Sequence, residues 1–185
     1  MSDRLRIAIV IGSNREGRFG PTAARWIHRR ARAREGFDVD VVDLAEVDLP
    51  TAFPNGTAPV TDLVEPLRRA DGFIVVTPEY NHSFPAALKQ AIDLASDEWY
   101  AKPVGFVSYG GISGGLRAVE QLRLVFAEVH AVGLRDTVSF HNYWDLVDEH
   151  GDLGDRSDPA ASVLLDQLAW WATALRSARR QTVAA

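Results

Sequence analysis

The fold is decided by the stretch GFIVVTPEYNHS at positions 72–83. Its first six residues form a continuous apolar, β-branched run, which is typical of a strand buried on both faces of a parallel sheet. A proline ends the run, and a polar turn leads into the helical pattern of residues 84–96. Two other apolar runs, 5–11 and 103–109, also lead through a glycine-rich loop into a helical pattern. Repeated strand–loop–helix units of this kind indicate an α/β fold.

Extending this pattern over the chain predicts five strands that alternate with five helices. Ser83 is expected to cap the third helix, and Trp170, Trp171 and Leu175 are expected to pack the last helix onto the sheet. Because right-handed crossovers place helices on both faces, we expect a doubly wound parallel sheet in the order 2-1-3-4-5. The predicted strands are 5–11, 37–42, 72–77, 103–109 and 133–140; the predicted helices are 21–35, 62–70, 84–96, 116–131 and 159–180; residues 44–59 and 141–158 are predicted loops.

Length and composition set limits on function. A chain of 185 residues is expected to form a single domain over residues 1–185, and its net charge of −5 does not favour a nucleic-acid partner. The absence of cysteine excludes disulfides, thiolate zinc sites and thiol redox chemistry, so redox work would need a bound cofactor. The five histidines have no ligand spacing, and no metal site is predicted. No apolar run is long enough for a signal peptide or a membrane span, which predicts a cytoplasmic protein without a membrane partner.

Three loops, 12–20, 78–83 and 109–115, follow the first, third and fourth predicted strands. In the order 2-1-3-4-5 the carboxyl ends of these strands are neighbours around the switch point between strands 1 and 3, where open α/β sheets bind ligands. The sequence therefore predicts that the three loops form one site.

The first loop has the chemistry to bind a phosphate. It offers the hydroxyls of Ser13 and Thr22, the guanidinium groups of Arg15 and Arg18, and the free N–H groups at the start of a helix. It matches neither the Walker A pattern nor Gly-x-Gly-x-x-Gly, which argues against a nucleotide triphosphate or a dinucleotide held in the usual way. The alternative is a capped strand-to-helix turn with solvated arginines.

The second loop suits a flat ring. Pro78 fixes the backbone and lacks a donor, so the N–H groups of residues 79–81 are expected to face a ligand, with Tyr80 along the ring. The alternative is a turn in which Asn81 and Ser83 only satisfy the local backbone.

The third loop supports two interpretations. Its four glycines let the backbone approach a flat ligand closely. The segment 111–115 also matches Gly-x-Ser-x-Gly, so Ser113 could be a hydrolase nucleophile with Asp136 and His141, or with Asp145 and His150, but no HGGG-type oxyanion motif precedes it. A phospho-acceptor receiver domain is excluded because Thr77 and Pro78 stand where an acidic residue is needed.

Together the loops resemble the three signatures of the NAD(P)H-dependent FMN reductase family, flavodoxin-like proteins that include quinone, azo and chromate reductases. The resemblance lies in the Gly12-Ser13 start, in PEYNHS at 78–83 with PAALK at 85–89, and in SYGG at 108–111 with SGG at 113–115. It extends over residues 5 to about 140. It implies a flavodoxin-like fold, FMN as cofactor, and NADPH or NADH as co-substrate.

The resemblance also assigns residues to the cofactor. The phosphate is expected at Ser13, Arg15 and the following turn, and the isoalloxazine against 78–81 and against Gly110 and Gly111. The family often has a serine where this chain has Arg18, which would substitute by charge. No catalytic side chain is expected, since the flavin carries the chemistry. The expected cofactor-binding residues are Ser13, Arg15, Arg18, Gly20, Pro78, Glu79, Tyr80, Asn81, Ser83, Gly110, Gly111 and Ser113.

The implied reaction passes hydride from a nicotinamide through FMN to a flavin, quinone or similar acceptor. Donor and acceptor would use the same surface in turn, which is a ping-pong order. Family members are typically dimers or tetramers, and helix 84–96 with Trp99 and Tyr100 is the candidate contact surface. The alternative for these aromatics is that they pack under a loop of the same chain. The alternative is a non-catalytic flavin-binding electron carrier or flavin-supply partner. Arginines in the first loop favour the enzyme, because carriers are usually acidic around the flavin.

Overall fold

The computed structural model describes residues 4–50 and 60–183. Its sheet is parallel in the order β2-β1-β3-β4-β5, with β6 continuing along the same edge of β4. This order confirms the predicted flavodoxin-like doubly wound sheet. The strands are β1 Leu5–Ile11, β2 Phe37–Asp43, β3 Gly72–Pro78, β4 Pro103–Gly110, β5 Val132–Gly133 and β6 Val138–His141.

In the described ranges, five α-helices cover the two faces of the sheet. One core, with Ile27 and Leu168 among its members, lies under the first and fifth helices. The other, with Leu67, Leu88 and Phe126, lies under the remaining three. Every residue of β3 and β4 is buried, which explains why their sequences are apolar without alternation. The helices are α1 Gly20–Arg32, α2 Thr61–Arg69, α3 Ala86–Leu94, α4 Leu116–Glu128 and α5 Asp158–Val183.

The fifth predicted strand, 133–140, is wrong as one continuous element, because the chain leaves the sheet between β5 and β6. A side chain from α4 accounts for part of the break. The Arg123 guanidinium donates to the carbonyl oxygen of Leu134 and, at 2.9 Å, to that of Arg135. These carbonyls therefore have partners without a neighbouring strand.

The prediction that Ser83 caps the third helix is also wrong. α3 begins at Ala86, and the position before it is Pro85 in an extended conformation. Ser83 closes a tight turn with Tyr80, and its hydroxyl donates to Oε1 of Gln121 at 2.6 Å. The hydroxyl therefore links the second loop to α4.

Two predictions about tryptophans need correction. Trp99 is fully buried against Phe73 and Phe126, at centroid distances of 4.4 and 5.2 Å, so it cannot belong to a subunit contact surface. Trp170 is 65% exposed, whereas its neighbour Trp171 packs partly against the core. The helical period turns adjacent residues to different faces, and α5 docks mainly through Leu164, Leu165, Leu168 and Ala172.

Part of the predicted loop 44–59, namely 51–59, lies outside the described residues. Within the described ranges, each helix is too short or too polar to cross a membrane. The same ranges hold no group of three or more histidine, aspartate or glutamate side chains placed to bind a metal ion.

Candidate functional site

The three loops meet at the carboxyl edge of the sheet, as their sequence positions predicted. The parallel register sets Pro78 beside Tyr109. The Ser13 and Tyr80 hydroxyl oxygens are 2.7 Å apart, which joins the first loop to the second. The Glu79 N–H donates to the Tyr109 carbonyl oxygen at 3.1 Å, which joins the second to the third.

A cleft of about 400 Å³ lies between these loops. Pro78 and Tyr80 line it from the second loop, and Gly110 and Gly111 from the third. The first loop contributes residues 15–19. This volume falls in the range of ordinary small-molecule sites.

The two arginines of the first loop have different roles. Arg18 makes a bidentate ion pair with Asp43 at the end of β2, with N···O distances of 2.6 and 2.8 Å, and also donates to the Ser13 carbonyl oxygen at 2.8 Å. Both terminal nitrogens are thus engaged in holding the loop. The guanidinium of Arg15 lies 4.5 Å from the Tyr80 ring centroid and has no ion pair or hydrogen bond in the described ranges. The geometry favours Arg15, and not Arg18, as the cation available to a ligand.

The start of α1 faces the same cleft. A Cβ on Gly20 would lie 2.8 Å from Ile11 Cγ2 and 3.2 Å from the Tyr109 hydroxyl, so this close approach requires glycine. The N–H groups of residues 17–19 have no backbone acceptor within the described segments. Free N–H groups and the positive end of a helix attract an anion. The Thr22 hydroxyl accepts from Arg25 at 3.0 Å and keeps its own proton available as a donor.

The second loop is a tight turn with positive φ at Asn81 and His82. Tyr80 and Ser83 exchange backbone hydrogen bonds of 2.8 and 3.0 Å across it. The expectation that all the N–H groups of 79–81 face a ligand is therefore wrong for Glu79 and Tyr80, whose donors are used internally. Among these three, and within the described chain, Asn81 alone keeps an N–H without a backbone acceptor.

The Glu79 carboxylate fastens the second loop to the third. It accepts from the Ser113 hydroxyl at 2.6 Å and from Arg117, through the backbone N–H at 3.2 Å and Nη1 at 2.9 Å. Burial raises its pKa, but the hydrogen bonds from Ser113 and Arg117 outweigh burial and leave the pKa below its usual range. Glu79 and Ser113 were predicted to touch the cofactor; the structure shows their side chains bonded to each other.

The third loop turns sharply between β4 and α4. Gly115, with φ of +87°, lies so close to the preceding strand that a Cβ would be 2.7 Å from Ser108 Cβ and 2.9 Å from the Tyr109 nitrogen. The carbonyl oxygen of Gly114 accepts from the Ser108 and Ser139 hydroxyls, each at 2.8 Å. The glycines therefore pack the turn against the strands and leave Gly110 and Gly111 at the cleft.

The hydrolase interpretation of this loop is not supported. The Ser113 hydroxyl donates to a carboxylate, and no histidine contacts it in the described chain. The His141 ring lies 3.2 Å from the Ser139 hydroxyl through Nε2 and 2.9 Å from the Ile112 carbonyl oxygen through Nδ1. A nucleophile–base pair therefore does not form around Ser113.

Sequence reasoning missed the aromatic side of the cleft. Tyr143 and Trp144 follow β6, within residues predicted as a polar loop, and line the cleft beside Phe19 and Tyr109. Tyr143 is held at centroid distances of 4.5 Å from Phe19 and 5.4 Å from Tyr109, whereas Trp144 is 58% exposed. The sequence did carry one signal for this aromatic pair, namely its position. The pair follows the carboxyl end of a strand, as the other three loops do.

The family is now decided by comparison. The model of the family described as NADPH-dependent FMN reductase matches residues 5–145. The chain belongs to this family. It is a reductase family that uses FMN as cofactor and NAD(P)H as co-substrate, so the expected fold, enzyme class and cofactor are confirmed.

Curated relatives agree with this assignment. The chain is 36% identical over 121 residues to an NAD(P)H-dependent FMN reductase of Schizosaccharomyces pombe, covering 60% of each protein. It is 32% identical over 181 residues to a quinone reductase of Escherichia coli K12, covering 90% of this chain and 88% of the relative. A solved structure of FerB, a flavoenzyme NAD(P)H:(acceptor) oxidoreductase of Paracoccus denitrificans, shares the fold with a TM-score of 0.69, 20% identity, and coverage of 94% and 98%.

The residues of the cleft fit FMN. From the first loop, a helix N-terminus and an unpaired arginine offer donors that suit a phosphate. From the other loops, glycine backbone and aromatic rings offer surfaces that suit a flat apolar ring. The phosphate and the ring of one molecule would thus meet different chemistry within one cavity.

Proposed function

We propose that this chain passes reducing equivalents from NAD(P)H through FMN to a small planar acceptor such as a free flavin or a quinone, in ping-pong order. The observation that carries the proposal is the single cleft in which the phosphate-type donors of the first loop and the glycine and aromatic surfaces of the other loops meet. The name of the Escherichia coli relative supports a quinone as one acceptor.

The residues of the cleft would divide the work of binding. Arg15 and the N–H groups of residues 17–19 would hold the phosphate, while Pro78, Gly110 and Gly111 would lie against the ring. When bound, FMN supplies the hydride-accepting and hydride-donating chemistry. The protein would orient the ring and exclude water from one of its faces.

Ping-pong order follows from the way the flavin would lie. A ring against Pro78, Gly110 and Gly111 would have one face open to donor and acceptor. Donor and acceptor would therefore use the open face one after the other. Trp144, exposed at the cleft beside Gly111, would contact whichever planar group occupies that face.

Three further features complete the proposal. The chain would act as a single domain, in the cytoplasm, and as a homodimer or homotetramer. The subunit contact would use the exposed side of α3 and Tyr100, which is 57% exposed. Trp99 is buried and takes no part in it.

Three measurements on the purified protein test the function. Bound FMN should give a yellow protein, and NADPH or NADH should bleach it in the absence of air. Initial rates with each nicotinamide against free FMN, quinones, azo dyes and chromate should give parallel double-reciprocal lines. Failure to bind FMN would overturn the proposal; FMN binding without bleaching would leave only the electron carrier; intersecting lines would overturn the ping-pong order.

A further inference from the structure

Helix α4 holds the second loop through two side chains that lie one turn apart. Arg117 donates to the Glu79 carboxylate from its backbone N–H at 3.2 Å and from Nη1 at 2.9 Å. Gln121 donates through Nε2 to the His82 carbonyl oxygen at 2.6 Å and accepts from the Ser83 hydroxyl at the same distance. Residues four positions apart lie on the same face of a helix. One face of α4 therefore fixes the second loop at both ends, and at Glu79 the contact is between charges.

Glu79 places a negative charge beside the cleft. Its side chain is 9% exposed, and the residue lines the cavity of about 400 Å³. A Cβ on Gly110, which also lines the cleft, would lie 3.6 Å from Glu79 Cβ. Although burial raises the pKa of Glu79, the hydrogen bonds from Ser113 and Arg117 keep it below its usual range. The carboxyl group is therefore ionised at neutral pH.

Arg117 offsets part of this charge. Its Nη1 lies 2.9 Å from Oε1 of Glu79, and its positive charge helps to lower the pKa of that carboxyl group. The Arg117 side chain is 46% exposed, so water and salt screen its charge more than that of the buried carboxylate. The offset is therefore incomplete on the side that faces the cleft.

We propose that the charge of Glu79, partly offset by Arg117, tunes the reduction potential of FMN bound in the cleft. This assignment rests on the proposed function. Two-electron reduction of FMN above neutral pH takes up one proton, so the ring gains one negative charge. A carboxylate nearby disfavours that added charge and lowers the potential, whereas a guanidinium favours it and raises the potential. Arg117 is then a positioning residue, which holds the carboxylate in place and limits its effect.

Glu79 need not touch the ring for this effect, because Coulomb interactions act over several ångströms where the dielectric constant is low. The proposal therefore depends on where the two charges lie, beside the wall formed by the second and third loops, and not on a new contact with the cofactor.

The test measures the reduction potential of bound FMN by equilibration with a dye of known potential at pH 8, well above the pKa of a carboxyl group. Glu79→Gln removes the negative charge but keeps an oxygen that can accept from Ser113. It should strengthen binding of reduced FMN relative to oxidised FMN by about tenfold, which raises the potential by about 30 mV. Arg117→Gln should have a smaller effect of opposite sign, about threefold, which lowers the potential by about 14 mV.

Three controls separate charge from structure. Arg117→Lys keeps the positive charge and should keep the wild-type potential. The double variant Glu79→Gln/Arg117→Gln loses both charges, and its potential should lie between those of the two single variants. Arg68→Gln removes the arginine of a similar pair at the amino edge, where the Arg68 and Glu98 side chains are 58% and 12% exposed, and should leave the potential unchanged.

The signs of the shifts distinguish this role from a structural one. If the Glu79–Arg117 contact only fastened the loops together, both variants would bind oxidised and reduced FMN less tightly by the same factor, and the potential would not move. Unchanged potentials, or shifts of the same sign in both single variants, would overturn the assignment and leave the proposed function intact. Wild-type protein that binds no flavin would instead overturn the proposed function, and the assignment with it.

Discussion

The two edges of the sheet differ in what their polar groups do. The amino edge has a cavity of about 660 Å³, lined by many charged side chains. There Asp71 accepts from Arg176 and Arg179 at 3.3 and 3.4 Å. Lys102 donates to the carbonyl oxygens of Leu67 and Arg68, at 2.8 and 3.0 Å, at the end of α2. These contacts connect α2, α5 and the sheet.

The carboxyl edge has the cleft of about 400 Å³ and an adjoining one of about 650 Å³, which share Arg15, Glu79 and Tyr80, and it leaves several groups unused. Arg15 lacks an ion pair and the N–H groups of residues 17–19 lack a backbone acceptor, in both cases within the described chain, and Trp144 is exposed. Polar groups satisfied within the protein stabilise the fold, whereas unsatisfied ones beside a cavity indicate a ligand. The comparison teaches that the chemistry of the lining, and not the volume, distinguishes the site from the structural network.

The largest effect is expected at the carboxyl edge from Gly115→Ala. The substitution combines an unfavourable positive φ with a Cβ 2.9 Å from backbone, and should lower the free energy of unfolding by roughly 2–5 kcal/mol. Gly151→Ala is the matched control, since its φ is also positive (+78°) but a Cβ would meet nothing within 4 Å. It should cost roughly 1–2 kcal/mol. Both free energies of unfolding are measured by chemical denaturation. Equal losses in the two variants would show that the close packing of Gly115 adds nothing to the cost of its positive φ.

Arg15→Ala should produce the next largest effect. Loss of a charge-assisted contact should weaken FMN binding by about tenfold to a hundredfold and riboflavin binding much less, since riboflavin has no phosphate. Arg180→Ala removes an arginine from the amino-edge cavity and should leave both affinities unchanged. Equal losses for FMN and riboflavin in Arg15→Ala would place Arg15 away from the phosphate.

The third prediction concerns Lys102, at the amino edge. Lys102→Met should change how the free energy of unfolding depends on pH. Burial lowers the pKa of Lys102 to about 8, against 10.5 in the unfolded chain. Between these values the unfolded chain binds more protons, so wild-type stability should rise with pH relative to the variant. The gain from pH 7.5 to 9.5 should be on the order of 1–2 kcal/mol in denaturant unfolding. Exposed Lys89→Met is the control, and parallel profiles for wild type and Lys102→Met would contradict the prediction.

The smallest effect is expected from Trp144→Ala. Loss of one exposed aromatic contact should weaken FMN or acceptor binding a few-fold and abolish part of the tryptophan fluorescence quenching that accompanies FMN binding. Trp170→Ala is the matched control, because Trp170 is 65% exposed, close to the 58% of Trp144, but lies on α5. If removal of Trp170 changed the quenching as much as removal of Trp144, the indole beside Gly111 would not contact the ligand.

Much of the fold was readable because it depends on local patterns. The strand 5–11 was predicted with its observed bounds, and the strands ending at Pro78 and Gly110 were predicted to within one residue. Fully buried parallel strands need continuous apolar sequence, so the pattern and the fold are tightly linked. The prediction of one continuous last strand failed because the break in it involves Arg123, a side chain on the preceding helix that donates to the carbonyl oxygens of Leu134 and Arg135.

Less of the candidate site than of the fold could be predicted from the sequence. Sequence placed the right loops together, because strand order fixes which carboxyl ends are neighbours. The sequence did not show that Arg15 is available to a ligand and Arg18 is not, because the partner of Arg18 is Asp43, 25 residues away at the end of β2. It did not find Trp144 as a wall of the cleft, because that role depends on which groups remain exposed after packing.

The amino-acid sequence by itself determined the alternation of strands and helices, the order of the sheet, the meeting of three loops and the family to which they belong. The alternation follows from periodicity and residue type, which act over a few neighbouring positions. The order of the sheet, and with it the meeting of the loops, follows from the common arrangement of such sheets, and the family follows from the resemblance of the loop motifs. Only the tertiary structure decided which arginine is free and which tryptophan is buried. Those properties depend on long-range neighbours, and hydrogen-bond partners are assigned only when distant segments compete for the same groups.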